Sequence, residues 1–259
     1  VVPILILGYV FFSSTGIQEI QTVSKISVQK QQTITIPCLY DQKYVNYPKC
    51  MSHGKFWMFS GCVTHSRMSV EDDPAVKVFT ATLREAEVKD SGTYWCAVTM
   101  SGYDPHTYLY LQVTEGSPSL LVNSQNVTGS EDGSVIISCH HQGQSGVKWC
   151  KFGGQCITGA SGTLAGASVE IRRGLRNTTV SMSRLKKQNT GWYWCSTEDL
   201  QMPVHITVLQ KKRFTQLLKS NILYFRTALL FLLPVILEIL LMIIIYLALK
   251  LLRFYRTSK

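Results

Sequence analysis

The chain has 259 residues, enough for one or two domains on length alone. A hydrophobic fraction of 46% against 16% charged residues excludes a disordered chain. The net charge of +10 invites a nucleic-acid reading, but nine of the 26 Lys/Arg and one of the 16 acids lie in residues 211–259, so +8 sits there and only +2 in the rest. That basic charge flanks an apolar run, where it meets lipid head groups, and nucleic-acid binding has no support.

Residues 1–12, VVPILILGYVFF, form an apolar core followed by Ser13, Ser14, Thr15 and Gly16. This is the shape of a secretory signal, too short to span a bilayer; a buried first strand is the competing reading. With no initiator Met and no basic start, the sequence is expected to begin inside that leader. A signal over 1–16 sends residue 17 onward outside the cell, where disulfides persist. It also sets orientation, which flanking charge does not: five basic residues precede the later apolar run and four follow it.

All eight cysteines fall between the signal and that run, in two copies of one pattern. Thr33-Ile-Thr-Ile-Pro-Cys38 alternates as a half-buried strand does, and Asp90-Ser-Gly-Thr-Tyr-Trp-Cys96 follows 58 residues later. The second copy has Ser134-Val-Ile-Ile-Ser-Cys139 and, 56 residues on, Asn189-Thr-Gly-Trp-Tyr-Trp-Cys195. Phe79–Leu83 and Thr178–Met182 add alternating segments between them. The pattern resembles the immunoglobulin signature, in which such cysteines bridge facing sheets and a Tyr two residues before the second, here Tyr94 and Tyr193, makes a tyrosine corner. Arg67 precedes Asp90 by 23 residues, as in variable-type domains that pair the two; the second copy has Asn189 instead and no evident Arg.

Four cysteines remain. Pairing Cys50 with Cys62 and Cys150 with Cys156 would clip a short hairpin in each unit, adding roughly 2–3 kcal/mol apiece in the chain-entropy model. A zinc site built from these cysteines with His140 and His141 is the competing reading. Trp149, before Cys150, supplies the core Trp of a third strand; the first unit has Lys49 in the matching place, with Trp57 its nearest candidate.

The extra cysteine pair beside the third strand, Trp-Cys before it and Tyr-Trp-Cys on the sixth are joined by Val45-Asn-Tyr-Pro-Lys49, Asp72-Asp-Pro74 and Phe79-Thr-Ala-Thr-Leu83. Together they resemble the polymeric immunoglobulin receptor family over residues 25–250, and more closely its leukocyte branch of CMRF-like surface receptors in two-domain fish-type form. The resemblance implies an all-β ectodomain of two tandem variable-type immunoglobulin sandwiches followed by one transmembrane α-helix, the hairpin disulfides, and a non-enzymatic receptor on the plasma membrane of immune cells. The ligands it implies are polymeric immunoglobulin in one branch and phospholipid head groups in the other.

Residues 227–249 carry one charge in 23 positions, long enough to cross a bilayer. The charge is Glu238, at the midpoint. A central acid costs about 2.5–3.5 kcal/mol, against roughly 5–10 kcal/mol returned by 16 Leu, Ile, Phe and Val residues. Glu238, with Pro234 one turn before it, reads as a docking point for another membrane helix; a protonated Glu bonding locally or snorkelling is the alternative. A partner bearing Lys or Arg suits it better than an acidic one. The tail after 249 is short and lacks a tyrosine-based inhibitory pattern at Tyr255, so signalling is expected through an adaptor or co-receptor chain.

Asn126-Val-Thr128 and Asn177-Thr-Thr179 are glycosylation acceptors, both expected at turns outside the strands. The loops of the first unit, 40–48 and 99–107, are the expected ligand contacts, through exposed Tyr44, Tyr47 and Tyr103 with Asp104 and His106. No catalytic or cofactor motif is present. The expected order is signal 1–16, domain 1 over 17–114, domain 2 over 115–210, basic stalk 211–226, transmembrane helix 227–249 and cytoplasmic tail 250–259. An adaptor-coupled activating receptor, an immunoglobulin-transporting receptor and a non-signalling adhesion or co-receptor subunit are the functions that this organisation allows.

Overall fold

A computed structural model describes residues 19–62, 66–143, 146–210 and 214–257; the expected signal segment lies outside them. The β-rich part and the C-terminal helix are separate units.

Domain 1 holds β1 (Ile20–Gln21), β2 (Lys25–Gln29), β3 (Ile34–Tyr40), β4 (Lys49–His53), β5 (Met68–Asp73), β6 (Val78–Leu83), β7 (Gly92–Val98) and β8 (His106–Thr114). They form two sheets, ordered β1-β3-β6-β5 and β2-β8-β7-β4. β2 runs parallel to β8, and every other neighbouring pair is antiparallel. Domain 2 repeats this plan with β9 (Leu120–Val122), β10 (Asn126–Ser130), β11 (Ser134–His141), β12 (Lys148–Lys151), β13 (Cys156–Ile157), β14 (Ser161–Leu164), β15 (Ala167–Arg173), β16 (Asn177–Ser183), β17 (Gly191–Ser196) and β18 (Gln201–Leu209). Its sheets are β14-β15-β16-β11-β9 and β10-β18-β17-β12-β13, with β10 parallel to β18. The strand beyond β12 is the addition that marks a variable-type sandwich, and the bridge from Ser52 to Cys62 holds the same place in domain 1.

Alternation drives each sandwich shut. In β8, Leu109, Leu111 and Val113 are buried while Tyr108, Tyr110 and Gln112 face out. Cys38–Cys96 and Cys139–Cys195 cross between facing sheets; Cys50–Cys62 and Cys150–Cys156 clip hairpins, which leaves none of these sulfurs as a thiolate for zinc. His140 and His141 turn instead to Asn123 and Thr178. Tyr94 donates to the Asp90 carbonyl and Tyr193 to that of Asn189, each at 2.9 Å, and burial pushes both phenols up to about 12.

Arg67 grips Asp90 through two hydrogen bonds of 2.7 and 2.9 Å. In domain 2 the missing arginine is replaced by backbone: the Asn189 carboxamide donates to the Ala165 carbonyl at 2.9 Å and accepts from the Lys186 amide at 2.7 Å. One neutral side chain thus closes a turn that in domain 1 needs a charge pair.

The third strand corrects the cysteine-based alignment. Cys195 sits opposite Trp149, but Cys96 sits opposite Met51, so Met51, not Lys49, occupies the place of the core Trp. Trp57 lies outside the core, on a 3-10 turn over Trp57–Phe59. Domain 1 makes up the missing volume across the disulfide. Phe79 pairs with Cys38 where domain 2 places Thr178 against Cys139, and Tyr40 stands where domain 2 has His141. Met51, Phe79 and Tyr40 therefore fill the space taken by Trp149, Thr178 and His141.

Gln125 joins the two domains. β1 is so short that it pairs only with Leu39 and Tyr40, leaving the outer edge of β3 open. There the Gln125 carboxamide accepts from the Thr35 amide at 2.8 Å and donates to the Thr35 carbonyl at 2.9 Å, as a neighbouring strand would. It also donates to the Pro203 carbonyl at 3.1 Å, and a second bond runs from the Ser24 amide to Gln201 at 2.8 Å.

The C-terminal unit is one helix, α1 (Phe214–Thr257). Residues expected as stalk and tail, from 214 to 226 and from 250 to 257, are therefore helical. Its apolar part, Tyr224–Phe254, has a mean hydropathy of 3.0 and is long enough to cross a bilayer.

Candidate functional site

The exposed face of the β2-β8-β7-β4 sheet in domain 1 gathers aromatic side chains. Because Tyr94 points inward on β7, Trp95 points out, where its indole donates to the Gly54 carbonyl at 2.8 Å. Tyr108 comes from β8 beside it, 5.3 Å away between ring centroids. His106 lies among them, stacked on Trp57 at 4.4 Å, edge-on to Trp95 at 5.5 Å and 5.7 Å from Tyr103. Aromatic pairs in this range attract beyond their area burial.

The turn beside the cluster is held rigidly. The Cys50–Cys62 disulfide closes its base, and the Ser60 hydroxyl and the Phe59 amide both donate to the Phe56 carbonyl. Gly54 enters it at a φ of 155°, and a Cβ there would strike Ser60, so the turn needs glycine. Its tip projects outward: Met58 and Phe59 are 87% and 86% exposed, and Phe56 is exposed as well. With exposed Tyr103, Tyr108 and Tyr110, they make a contiguous apolar surface of the kind that marks an interaction site.

The five expected contact residues separate. Tyr47, Tyr103 and His106 reach the surface or lie just beneath it. Tyr44 is only 4% exposed and belongs to the core, which corrects its place among the ligand contacts. The Asp41 side chain accepts from the Lys43 amide and starts a 3-10 turn over Gln42–Tyr44 that swings the ring inward. Asp104 is half-buried and turned to its own loop, accepting from the Met100 amide at 2.7 Å, while its carbonyl faces His106 Nδ1 at 2.7 Å. The two hold the loop in shape rather than opening a shared cation site. Among the described residues, no three His, Cys, Asp or Glu side chains converge on a metal position. Trp57, Trp95 and Tyr108 escaped the loop-based reading, although strand alternation around Tyr94 and Leu109 already turns two of them outward.

The 41–48 loop beside this face is tied down from below. Lys49, its side chain 2% exposed, reaches Asp72 at 3.0 Å, the Tyr47 carbonyl at 2.6 Å and the Val45 carbonyl at 3.2 Å, over the Tyr40 ring at 4.3 Å. Tyr40 donates to the other Asp72 oxygen at 2.8 Å; burial, then that bond, push its hydroxyl well above the ordinary range.

In α1, Pro234 deprives the Leu230 carbonyl of its amide partner, and Glu238 lies one turn on, on the same face. Both glycosylation acceptors open strands, Asn126 in β10 and Asn177 in β16, which corrects their expected place in turns. Asn126 is exposed on an edge strand. Asn177 is half-buried between β11 and β15, its carboxamide oxygen buried without a hydrogen bond among the described residues.

No family model matches the chain. The polymeric immunoglobulin receptor of Rattus norvegicus is 28% identical over 144 residues, covering 52% of this chain and 19% of that protein. CMRF35-like molecule 3 of Mus musculus is 30% identical over 93 residues, 31% of this chain and 37% of that one. The chain thus spans less than two-fifths of either relative. The solved ectodomain of the teleost fish polymeric immunoglobulin receptor is 30% identical, covering 75% of this chain and 100% of that one, with a TM-score of 0.36. On the repeated Cys–Tyr–Cys framework and this identity across a whole ectodomain, the chain belongs to the polymeric immunoglobulin receptor and CMRF35-like family of the immunoglobulin superfamily, a family of receptors and not of enzymes.

Proposed function

We propose that the protein is a single-pass type I receptor of the plasma membrane, its two domains outside the cell, which binds a ligand through domain 1 and signals through a second membrane chain. The observation that carries this reading is Glu238, an acid in the middle of a segment whose mean hydropathy is 3.0. Lipid offers a carboxylate no partner, and such residues face another helix or a polar cavity. Pro234 on the same face leaves a carbonyl for the same neighbour. An adaptor or co-receptor helix bearing Lys or Arg meets both needs.

The ligand surface is the aromatic face of domain 1, with Trp57, Trp95, Tyr103 and Tyr108 as contact area around His106 and with Tyr47 at its margin. Rigid aromatic side chains supply such area at low entropic cost. Asn126 and Asn177, both in domain 2, are the glycosylation acceptors, which leaves the domain 1 face free of N-linked sugar.

The test is Glu238→Leu in the full chain on cells. Surface expression is expected to persist while a co-purifying partner chain disappears in mild detergent; undiminished recovery of the partner would end the docking reading. A second reading, transport of polymeric immunoglobulin, rests on the relatives that bear that name. It predicts capture of polymeric immunoglobulin by the full chain, lost on Trp57→Ala.

A further inference from the structure

Gln125 stands between two clefts that separate the domains. One, of about 360 Å³, is lined by Glu71, Asp72 and Asp73 from domain 1 and by Trp192 and His205 from domain 2. The other, of about 400 Å³, carries no charged side chain: Gln32 and Thr33 of domain 1 face Asn123 and Ser124 of domain 2 across a floor that includes Val28 and Leu121. Asn126 lines both.

Three observations converge on that residue. Asn126 and Thr128 are both exposed and point to the same side of edge strand β10, so the tripeptide is open to a transferase. Asn177, by contrast, begins a strand flanked on both sides. The larger cleft beside Asn126 offers hydroxyls and carboxamides around an apolar floor. That set suits a neutral ring with hydroxyl and acetamido edges and an apolar face, and gives a charged ligand no counter-ion.

We propose that Asn126 carries an N-linked glycan whose first sugar residues lie in the 400 Å³ cleft and fill the space between the two domains beside the Gln125 clamp. The inference rests on the glycosylation reading given above. Attachment forms a bond from Asn126 Nδ2 to the sugar C1 while the bond from C1 to the oxygen of a lipid-linked diphosphate donor breaks; Nδ2 gives up one proton and the diphosphate departs. The sugar hydroxyls then replace water against Gln32, Thr33 and Asn123, and the ring face covers Val28 and Leu121.

The test uses the full chain made in a secretory eukaryotic cell and held in mild detergent. Peptide mapping establishes whether Asn126 is modified, and a peptide N-glycosidase, which leaves Asp in place of Asn, reports access before and after denaturation. Release from Asn126 is expected to be about tenfold slower in the folded protein or more. Thr33→Trp and Gln32→Trp each fill the cleft from domain 1 at an exposed position; both are expected to keep a cooperative melt and to raise the native release rate to that of denatured chain. An unmodified Asn126 would overturn the glycosylation reading, and the inference with it. A modified Asn126 released equally fast from folded and denatured wild type, or unaffected by either tryptophan in a folded variant, would overturn the inference alone.

Discussion

Three side chains around each sandwich disulfide carry the main difference between the two domains. Met51, Phe79 and Tyr40 in domain 1 answer Trp149, Thr178 and His141 in domain 2, so large and small exchange places across the cystine. Met51→Trp alone is expected to overpack domain 1 and to destabilise it by about 1–3 kcal/mol in chemical denaturation. Adding Phe79→Thr is expected to recover part of that loss, a coupling of about 1 kcal/mol or more in a double-mutant cycle; strict additivity would show that the two positions do not share one volume. This is also where the sequence was hardest to read. The tyrosine corners were legible because Asp90-Ser-Gly-Thr-Tyr94 and Asn189-Thr-Gly-Trp-Tyr193 close on themselves within a few residues. A volume exchanged between Met51 and Phe79 is not, since it exists only once two sheets face each other. Aligning Cys50 with Cys150 then displaced the register by two residues and sent the search for a core Trp to Trp57. Tyr44 shows a smaller version of the same limit: its loop was legible, but not the turn that buries its ring.

Among the elements, the decisive one is an absence of strand. β1 covers only two residues of β3, and Gln125 from the other domain mends the exposed edge. Gln125→Ala is expected to leave the Thr35 amide and carbonyl to water, at a loss of about 1–2 kcal/mol in coupling between the domains. The checks are faster hydrogen exchange at the Thr35 amide and a broader distribution of inter-domain distances; an unchanged exchange rate would mean that other contacts hold the junction. Nothing in Ser-Gln-Asn announces this, because a glutamine before a strand looks the same whether it meets solvent or a neighbouring sheet. The aromatic face is legible in principle, since Trp95 and Tyr108 alternate with buried Tyr94 and Leu109. Its third contributor is not: Trp57 arrives from a turn whose placement depends on the Cys50–Cys62 closure.

For the molecule as a whole, acidity is the condition to vary. Burial holds His141 and His205 below the ordinary histidine value near 6.5, although Asp73 pulls His205 the other way. Both are therefore neutral in the fold and bind protons more readily when unfolded. Their contribution is complete above about pH 6.5 and is lost as pH falls from there toward their lowered folded values. The melting temperature is expected to hold above pH 7 and to drop between pH 6.5 and 5. His141→Gln with His205→Gln is expected to flatten that drop; a slope unchanged in the double variant would assign it to carboxylates instead. His205 lies in the inter-domain cleft, so the acid-induced loss should reach the junction as well as the core of domain 2.

The two hairpin cystines are anchored two residues apart along equivalent strands, since Ser52, not Cys50, stands where domain 2 has Cys150. A step of two along a pleated ribbon returns a side chain to its original side, whereas a step of one would drive the sulfur through the sheet into the packed interior. Duplicated domains of this kind can therefore drift apart by walking a crosslink in even strides, trading its foothold while the ribbon around it stays in place.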